Sequence, residues 1–492
     1  MFALLPLDDR PCNFSFPAQI AAIGGETEIL RPDRRFLGRF NTPGQPDALR
    51  DWLQNLPEIS ALVVSIDMLA YGGLVASRKT ATSLETALER LQALREFRAA
   101  RPDVPIYAFN VLMRLAITMD SDAAVPHYYN VMRYARLVDE ATRFGSDEKL
   151  AELQSVENSI PASILEEYRG ARARNHAVNL AMLDWLAEGI FDYLLITQED
   201  CTEFGLHRLE QAEILEKARK LRVGKRFALH PGADEAALTL LARHWETGAK
   251  FGVVWSDETH KRAIAVFEDV PYEDALTSHV GAMGGEIVAR GADVLLFVNA
   301  PVGGSQRSES EGAKMERAEA LGAFVETIER ALDDGAHVAL CDVAFPNGAD
   351  DVLLSLLHEN GAILPRLVAF GGWNTAGNTT GTVLAQCAAF LRGQNSPKSR
   401  ELNRQFVFER IVDDWFYQAR VRAEIESVAR DRGFSPLNMN GQTPAIEALA
   451  RKRLAEFSRD LAAQFGDKLE TVQVKLPWGR TFEVEFDAKI TV

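Results

Sequence analysis

The chain has 492 residues, which is long enough for a large core and for two or three domains. Its hydrophobic content of 47% and charged content of 25% are ordinary for a globular protein. The net charge of −16 argues against nucleic acid or an anionic membrane as the main partner, because both need a basic surface. These numbers leave the oligomeric state open.

The cysteines and the N-terminus favour a cytoplasmic protein. Four cysteines are scattered without a CxxC pair, at Cys12, Cys201, Cys341 and Cys387. This spacing predicts reduced thiols rather than a disulfide framework or a zinc cluster. The N-terminus lacks the basic, apolar and small-residue order of a signal peptide, and no apolar run reaches the roughly 18 residues of a membrane helix. We therefore expect no membrane partner, no metal and no cofactor.

Eight short apolar runs, each ending at a polar residue, alternate with helical patterns along residues 1–391. The runs begin near residues 2, 61, 105, 191, 226, 292, 337 and 366. Continuous apolar runs between helices are typical of parallel strands buried on both faces. The clearest helical patterns cover 46–56, 83–100, 207–221, 235–246, 311–332 and 348–359.

Eight strand–helix units predict a (β/α)8 fold of the TIM-barrel type over residues 1–391, with a helical insertion at about 114–190. Two further strand-like pieces, at 27–30 and 251–255, leave an open, doubly wound parallel sheet as the alternative. Residues 398–492 are predicted to be helical and to end in a β-hairpin. In either fold the polar strand ends meet at one edge, where ligands bind in such sheets. This pattern predicts an enzyme.

The first candidate site follows the fourth run, where Gln198 precedes Glu199 and Asp200. Adjacent carboxylates repel one another, so one pKa rises and that acid can donate a proton near neutral pH. Such a pair suits glycoside hydrolysis, in which one carboxyl group is the acid and another supports the developing positive charge. Either residue can be the acid, and the other is then the polarising group or nucleophile. Whether the reaction retains or inverts configuration stays open.

The other polar strand ends supply predicted substrate-binding residues. Pro11 keeps Arg10 out of helical geometry, so Asp8, Asp9 and Arg10 are expected on an ordered loop. A buried Asp–Arg ion pair that locks this loop is the alternative. Trp373, in a small polar segment, is suited to stacking on a sugar ring. The remaining predicted binding residues are Asp67, Asn110, Gln198, His230, Asp234, Asp342 and Asn374.

Taken together, the motifs resemble one bacterial family. They are Asp8-Asp9-Arg10-Pro11, Asp67 with Tyr71-Gly72-Gly73, Gln198-Glu199-Asp200, His230-Pro231-Gly232-Ala233-Asp234-Glu235, Trp373-Asn374 and Asp413-Asp414-Trp415. Members of the family have about this length, open with a Pro-Leu-Asp-Asp-Arg-Pro signature, and are labelled a domain of unknown function. The resemblance covers essentially the whole chain. It implies an acidic pair after the glutamine, and it favours Asp200 as the functional member.

A looser likeness concerns the mechanism. Enzymes that remove N-acetylhexosamines with help from the substrate's acetamido group also place two neighbouring carboxylates at a barrel strand end. We therefore predict a glycoside hydrolase that acts on a small or oligomeric carbohydrate, with N-acetylhexosamine-containing glycosides among the candidates. One alternative is a metal-dependent hydrolase or isomerase with Asp8, Asp67, His230 and Asp234 as ligands. The other is a non-catalytic sugar-binding protein.

Overall fold

The chain divides into two compact units. Each is built mainly from one half of the chain and includes a short segment from the other half. The computed structural model describes residues 1–26, 28–304 and 309–491. Unit 1 comprises Met1–Ala18, Thr27–His244 and Phe267–Asp269. Unit 2 comprises Gln19–Glu26, Trp245–Val266 and Val270–Val492. The predicted domain boundary between residues 391 and 398 stays a prediction.

Unit 1 is built on a parallel sheet. Its strands are β1 (Phe2–Leu5), β2 (Ile29–Leu30), β3 (Leu62–Ser65), β4 (Ile106–Leu112), β5 (Tyr193–Gln198) and β6 (Phe227–Pro231). Its helices are α1 (Pro11–Ile23, the end of which belongs to unit 2), α2 (Pro46–Gln54), α3 (Ile66–Tyr71), α4 (Leu84–Ala100), α5 (Val125–Phe144), α6 (Asp147–Ser159), α7 (Ala162–Ala187), α8 (Leu206–Leu221) and α9 (Ala236–His244). The strand order is β2-β1-β3-β4-β5-β6, and every pairing is parallel.

Helices cover both faces of this sheet. Alternate strand residues such as Leu5, Val64 and Ile196 pack in one apolar cluster with residues of α2, α4, α7 and α8. Successive strand side chains point to opposite faces, so the residues between them face the other way. On that side α9 contacts β3, β4 and β5. Burial on both faces explains why the strands read as unbroken apolar runs.

Unit 2 contains a second parallel sheet and a C-terminal region. Its strands are β7 (Lys250–Trp255), β8 (Glu286–Ile287), β9 (Val294–Asn299), β10 (Val338–Asp342) and β11 (Ala369–Gly371), followed by the antiparallel hairpin of β12 (Lys468–Lys475) and β13 (Glu485–Thr491). Its helices are α10 (Tyr272–Ala282), α11 (Glu311–Asp333), α12 (Asp351–Glu359), α13 (Ala376–Gly393), α14 (Pro397–Arg410), α15 (Arg422–Asp431) and α16 (Pro444–Gln464). A π-helical segment, Ile411–Val421, joins α14 to α15.

The two parallel sheets share one topology. The order in unit 2 is β11-β10-β9-β7-β8, so its second strand lies beside its first at one edge and its third lies on the other side of the first. The first five strands of unit 1 follow the same order. In both units the chain therefore reverses its direction of travel across the sheet next to the first strand, between β1 and β3 or between β7 and β9. Open α/β sheets bind ligands outside the strand ends at such a switch point.

The eight predicted strands are all present, but they do not form one closed barrel. Within the described residues they lie in two open sheets, whose edges are β2 and β6 in one and β11 and β8 in the other. The extra pieces at 27–30 and 251–255 explain the difference, because they contribute the edge strand β2 and the strand β7, which starts the second sheet. (Thr27 itself lies outside the described residues.) The fold is α/β with parallel sheets, as in the open, doubly wound alternative.

The predicted helical insertion contains α5, α6 and α7, which lie between β4 and β5. These helices have an apolar cluster of their own, to which Val131, Leu137, Val156 and Leu165 contribute. In the part of the chain that the structure describes, no helix combines the length and apolarity needed to cross a membrane.

Candidate functional site

A buried ion-pair network lies next to the switch point of unit 1. The Arg10 guanidinium donates hydrogen bonds to Asp8 at 2.7 and 3.0 Å and to Asp234 at 2.5 and 3.1 Å. Asn13 donates to both carboxylates, at 2.9 and 3.1 Å. All four residues are buried. The alternative predicted for this motif, a buried Asp–Arg pair that locks the loop, describes this geometry, and Asp234 joins it from far along the chain.

The same network bears on the predicted metal ligands. Asp8 and Asp234 both accept hydrogen bonds from one guanidinium, so the positive charge between them already belongs to Arg10. A cation bound by these two carboxylates would have to displace it. The neighbouring Asp9 is only half-buried, and its backbone N–H donates to the Gly38 carbonyl at 3.2 Å.

Each of the two acids after β5 has its own arginine. Arg78 donates to Glu199, and Arg114 donates to Asp200. The Glu199 side chain is 6% exposed, whereas that of Asp200 is 24% exposed, so Asp200 is the acid that solvent reaches. A guanidinium partner favours the ionised form of a carboxylate.

Sequence reasoning did not single out either arginine as a site residue. Arg114 follows β4, which ends at Leu112, so it is the polar side chain that this strand end supplies. Arg78 follows the Gly72-Gly73 turn, and it also donates to Thr118 at 2.9 Å. The sign of these two arginines in the sequence is their position, because each lies just beyond an apolar segment.

Asp67 is the acid in this region with a strongly raised pKa. It lies in the first turn of α3, directly after β3, and its carboxylate accepts the Val111 N–H at 2.8 Å. The pKa of Asp67 is raised to about 7, mainly by burial; the Val111 hydrogen bond opposes this rise, and the negative charge of Glu199 contributes to it. A carboxyl group that titrates near neutral pH therefore lies within electrostatic range of an acid that is paired with arginine.

The Gly72-Gly73 turn that follows Asp67 holds the chain in a conformation unsuited to larger residues. Gly72 ends α3 with φ of 91°, in the left-handed region. A Cβ at Gly72 would lie 2.7 Å from the Gly44 nitrogen. The pair therefore permits a close approach between two backbone segments, which is one of the roles that glycine allows.

His230 and Glu235 form a second buried pair in unit 1. His230 Nδ1 donates to the Pro231 carbonyl at 2.9 Å, and burial lowers the pKa of His230 to about 4. Glu235 accepts the Ala233 N–H at 2.8 Å, and burial raises its pKa to about 8. The nearest atoms of the two side chains are 3.7 Å apart. Burial therefore favours the neutral form of both groups.

Two predicted binding residues of unit 1 have structural contacts. Asn110 lies inside β4 rather than at its end, and its amide donates to Asn179 of α7 at 2.5 Å. The prediction that Asn110 ends a strand is wrong, because the strand continues to Leu112. Gln198 is the last residue of β5; it donates to the Glu199 carbonyl at 2.7 Å and accepts from Gln211 at 3.3 Å.

The predicted residues Asp342, Trp373 and Asn374 belong to unit 2. Asp342 ends β10, where it accepts the Asn299 amide at 3.0 Å and a backbone N–H at 2.7 Å, and burial with the nearby charge of Asp350 raises its pKa to about 7. The Trp373 ring is half-buried, 6.3 Å from the Phe482 ring. Asn374 has φ of 62°, so it serves as a left-handed turn residue before α13.

The Asp-Asp-Trp motif of unit 2 is also buried. Arg410 donates to Asp413 at 3.0 Å and to Asp414 at 2.8 Å. Asp414 in turn accepts the Gly372 N–H at 3.0 Å, at the end of β11. These contacts fix the loop that carries Trp373.

Comparison with known proteins identifies the family. A family model described as "Protein of unknown function (DUF4127)" matches residues 2–487. The chain belongs to the DUF4127 family. This confirms the predicted membership of a domain-of-unknown-function family and supplies no activity. Comparison with the curated proteins and with the solved structures gave no match.

In this DUF4127 chain the carboxyl edge of the first sheet brings together acids in different states. Glu199 and Asp200 are paired with arginines, whereas the pKa of Asp67 is raised to about 7. Sites that perform acid and base chemistry at one pH are built from titratable groups whose surroundings separate their pKa values. The arrangement is therefore suited to proton transfer combined with stabilisation of positive charge.

Proposed function

We propose that the protein is a glycoside hydrolase whose site lies at the carboxyl edge of the unit 1 sheet. The observation that carries the proposal is the unlike pair of Asp67, with a pKa of about 7, and Glu199, which is paired with Arg78. Cleavage of a glycosidic bond needs an acid to protonate the leaving oxygen and a carboxylate to support the oxocarbenium-like transition state. The pair supplies both protonation states near neutral pH.

We assign the acid role to Asp67 and the carboxylate role to Asp200, with Glu199 behind it. Asp200 is the more exposed of the two acids after β5, so it is the one placed to touch a substrate. Arg114 donates to it, and a carboxylate held by an arginine suits a nucleophile, a base or a group that orients an acetamide. The assignment of Asp67 requires that the sugar reach the end of β3. N-acetylhexosamine-containing glycosides remain the first substrates to test.

The polar network of Asp8, Arg10 and Asp234 has a positioning role in this proposal. It is buried and rigid, and it supports the loop that follows β1 beside the switch point. Asp9, on the same loop, is half-buried and can meet substrate hydroxyl groups. A preorganised polar frame of this kind holds reacting groups in place without reorganisation during the reaction.

The test is a screen of aryl glycosides, N-acetylhexosaminides included, with the wild-type protein and with Asp200→Asn. We expect cleavage of at least one glycoside and a fall in kcat of about 10²- to 10⁴-fold in the variant. Asp103→Asn, which changes an exposed loop acid in the same way, is the matched control and should keep full activity. The kcat of the wild type should fall as the pH rises through about 7, because Asp67 must carry a proton.

Three outcomes contradict the proposal. If no glycoside is cleaved, the assignment as a glycosidase is wrong. If a sugar binds in calorimetry without turnover, the protein is a sugar-binding protein. If Asp200→Asn retains full activity, the reaction takes place at another site.

A further inference from the structure

Three buried side chains of unit 1 bring together the donor atoms of a metal site. Cys201 follows the acidic pair after β5, and His207 lies in the first turn of α8. Asp269 lies on the segment Phe267–Asp269, which belongs to unit 1 although the residues on either side of it belong to unit 2. One ligand atom from each residue lies within 4.8 Å of the other two. All three residues are buried. Cys201 and His207 are six residues apart, but Asp269 lies much further along the chain, so no sequence motif identifies this set.

The spacing of the donors matches what a tetrahedral ion requires. Zinc bonds of roughly 2.0 Å to nitrogen and oxygen, at tetrahedral angles, place those two ligand atoms about 3.3 Å apart. His207 Nε2 lies 3.3 Å from Asp269 Oδ2. Thiolate, imidazole and carboxylate are together a donor set that zinc and related transition ions accept.

His207 is the second observation that points to a ligand at this position. Its side chain is fully buried, and Nε2 lies within ion-pair distance of Asp269, but neither ring nitrogen makes a hydrogen bond of acceptable geometry among the described residues. A buried polar group without a partner costs free energy, so native proteins rarely keep one without a reason. An ion bound at Nε2 would supply the partner and leave Nδ1 as the protonated nitrogen.

The surrounding charges are compatible with a bound cation. Asp269, Glu268 and Asp200 act on the Cys201 sulfur with negative charge and Arg208 acts on it with positive charge, so negative charge prevails around the sulfur. Arg208 and Gln211 donate to Asp269 Oδ2 at 2.9 and 2.8 Å, so an ion at this oxygen would share it with two donors that fix the orientation of the carboxylate. The Cys201 thiol donates to the Phe267 carbonyl at 3.5 Å.

We propose that Cys201, His207 and Asp269 bind a divalent transition-metal ion of the zinc class. The ion takes the place of the thiol proton, which leaves to water, and it joins the loop after β5 to the segment Phe267–Asp269. Because the site is buried, its role is to hold that segment in unit 1. This inference does not depend on the proposed glycosidase activity, since metal binding is measured without a substrate.

The experiment substitutes Co²⁺ for the native ion. The full-length protein is purified from cells grown with added Co²⁺, and its metal content and absorption spectrum are recorded. A thiolate bound to Co²⁺ gives a charge-transfer band in the near ultraviolet, which surface carboxylates and histidines do not give. We expect one equivalent of cobalt and this band in the wild type, and loss of the band in Cys201→Ala.

Matched variants separate metal binding from folding. Cys387→Ala removes another buried thiol, in unit 2, and should retain the band and the equivalent of metal. His207→Gln and Asp269→Asn should weaken binding at least about tenfold while the circular dichroism spectrum stays that of the folded protein. A folded wild type without the band, or a band that persists in Cys201→Ala, overturns the proposal.

Discussion

Replacing Asp67 by asparagine should change how the stability of the protein depends on pH. The pKa of Asp67 is raised from 3.8 to about 7 because the group is buried. At about 1.4 kcal/mol for each pKa unit, ionising Asp67 in the folded protein costs about 4 kcal/mol. Asparagine keeps the shape and the oxygen that accepts the Val111 N–H, but it cannot ionise. The variant therefore avoids this cost.

The sign follows from the two protonation states. At low pH Asp67 is protonated in both the folded and the unfolded chain, so its contribution to stability is fully present. As the pH rises from about 4 to about 7 the unfolded chain loses this proton first, and stability is lost. Above about pH 7 both states are ionised and the full cost remains. The free energy of unfolding of the variant, minus that of the wild type, should therefore increase by about 4 kcal/mol between about pH 4 and about pH 8.

Urea unfolding followed by circular dichroism, at several pH values across this range, measures the difference. The exposed-acid variant Asp103→Asn is the control and should follow the wild type at every pH. A difference between Asp67→Asn and the wild type that changes by less than about 1 kcal/mol over the range would refute the reasoning. Asp67 would then be ionised in the folded protein, and it could not be the general acid.

Further predictions concern stability alone. Arg10→Met leaves two buried carboxylates without their cation and should destabilise the folded protein by about 3–5 kcal/mol in urea unfolding; a loss below about 1 kcal/mol would mean that the network is not buried in solution. Gly38→Ala would place a Cβ 2.1 Å from the Gly72 carbonyl oxygen and should lower the melting temperature. Gly322→Ala, inside α11 with open space around it, should instead raise stability by about 0.5–1 kcal/mol, and the same calorimetric scans check both signs.

The sequence predicted elements far better than their assembly. The apolar runs located β1, β3, β4, β5, β6, β9, β10 and β11, because strands buried on both faces need no polar residues inside them. The strand-like pieces at 27–30 and 251–255 indicated β2 and β7, whereas the two-residue strand β8 is too short to leave such a pattern. A run of alternating strands and helices is the same in a barrel and in an open sheet, so which strands are neighbours could not be inferred.

Site prediction succeeded where a polar residue directly follows a strand and failed where the strand was longer than expected. Asp67 and Asp200 lie just beyond β3 and β5, at the carboxyl edge of the sheet. Asn110 is predicted to end a strand because it is the first polar residue after an apolar run. Its amide donates to Asn179 of α7, however, so β4 can continue past it. The arginine partners of Glu199 and Asp200 are contacts between distant segments, on which local patterns carry no information.

The exchange of segments between the units has a consequence for synthesis on the ribosome. Unit 1 lacks Phe267–Asp269 until the chain has been translated past residue 269, so the Cys201 N–H, which donates to the Phe267 carbonyl at 2.9 Å, waits for its acceptor. Conversely, Gln19, made at the very start, finds its partner Glu409 only when most of unit 2 has emerged. Neither unit can therefore make all of its contacts before synthesis of the other has begun. Residues 1–244 expressed alone would lack the Phe267 carbonyl that accepts the Cys201 N–H.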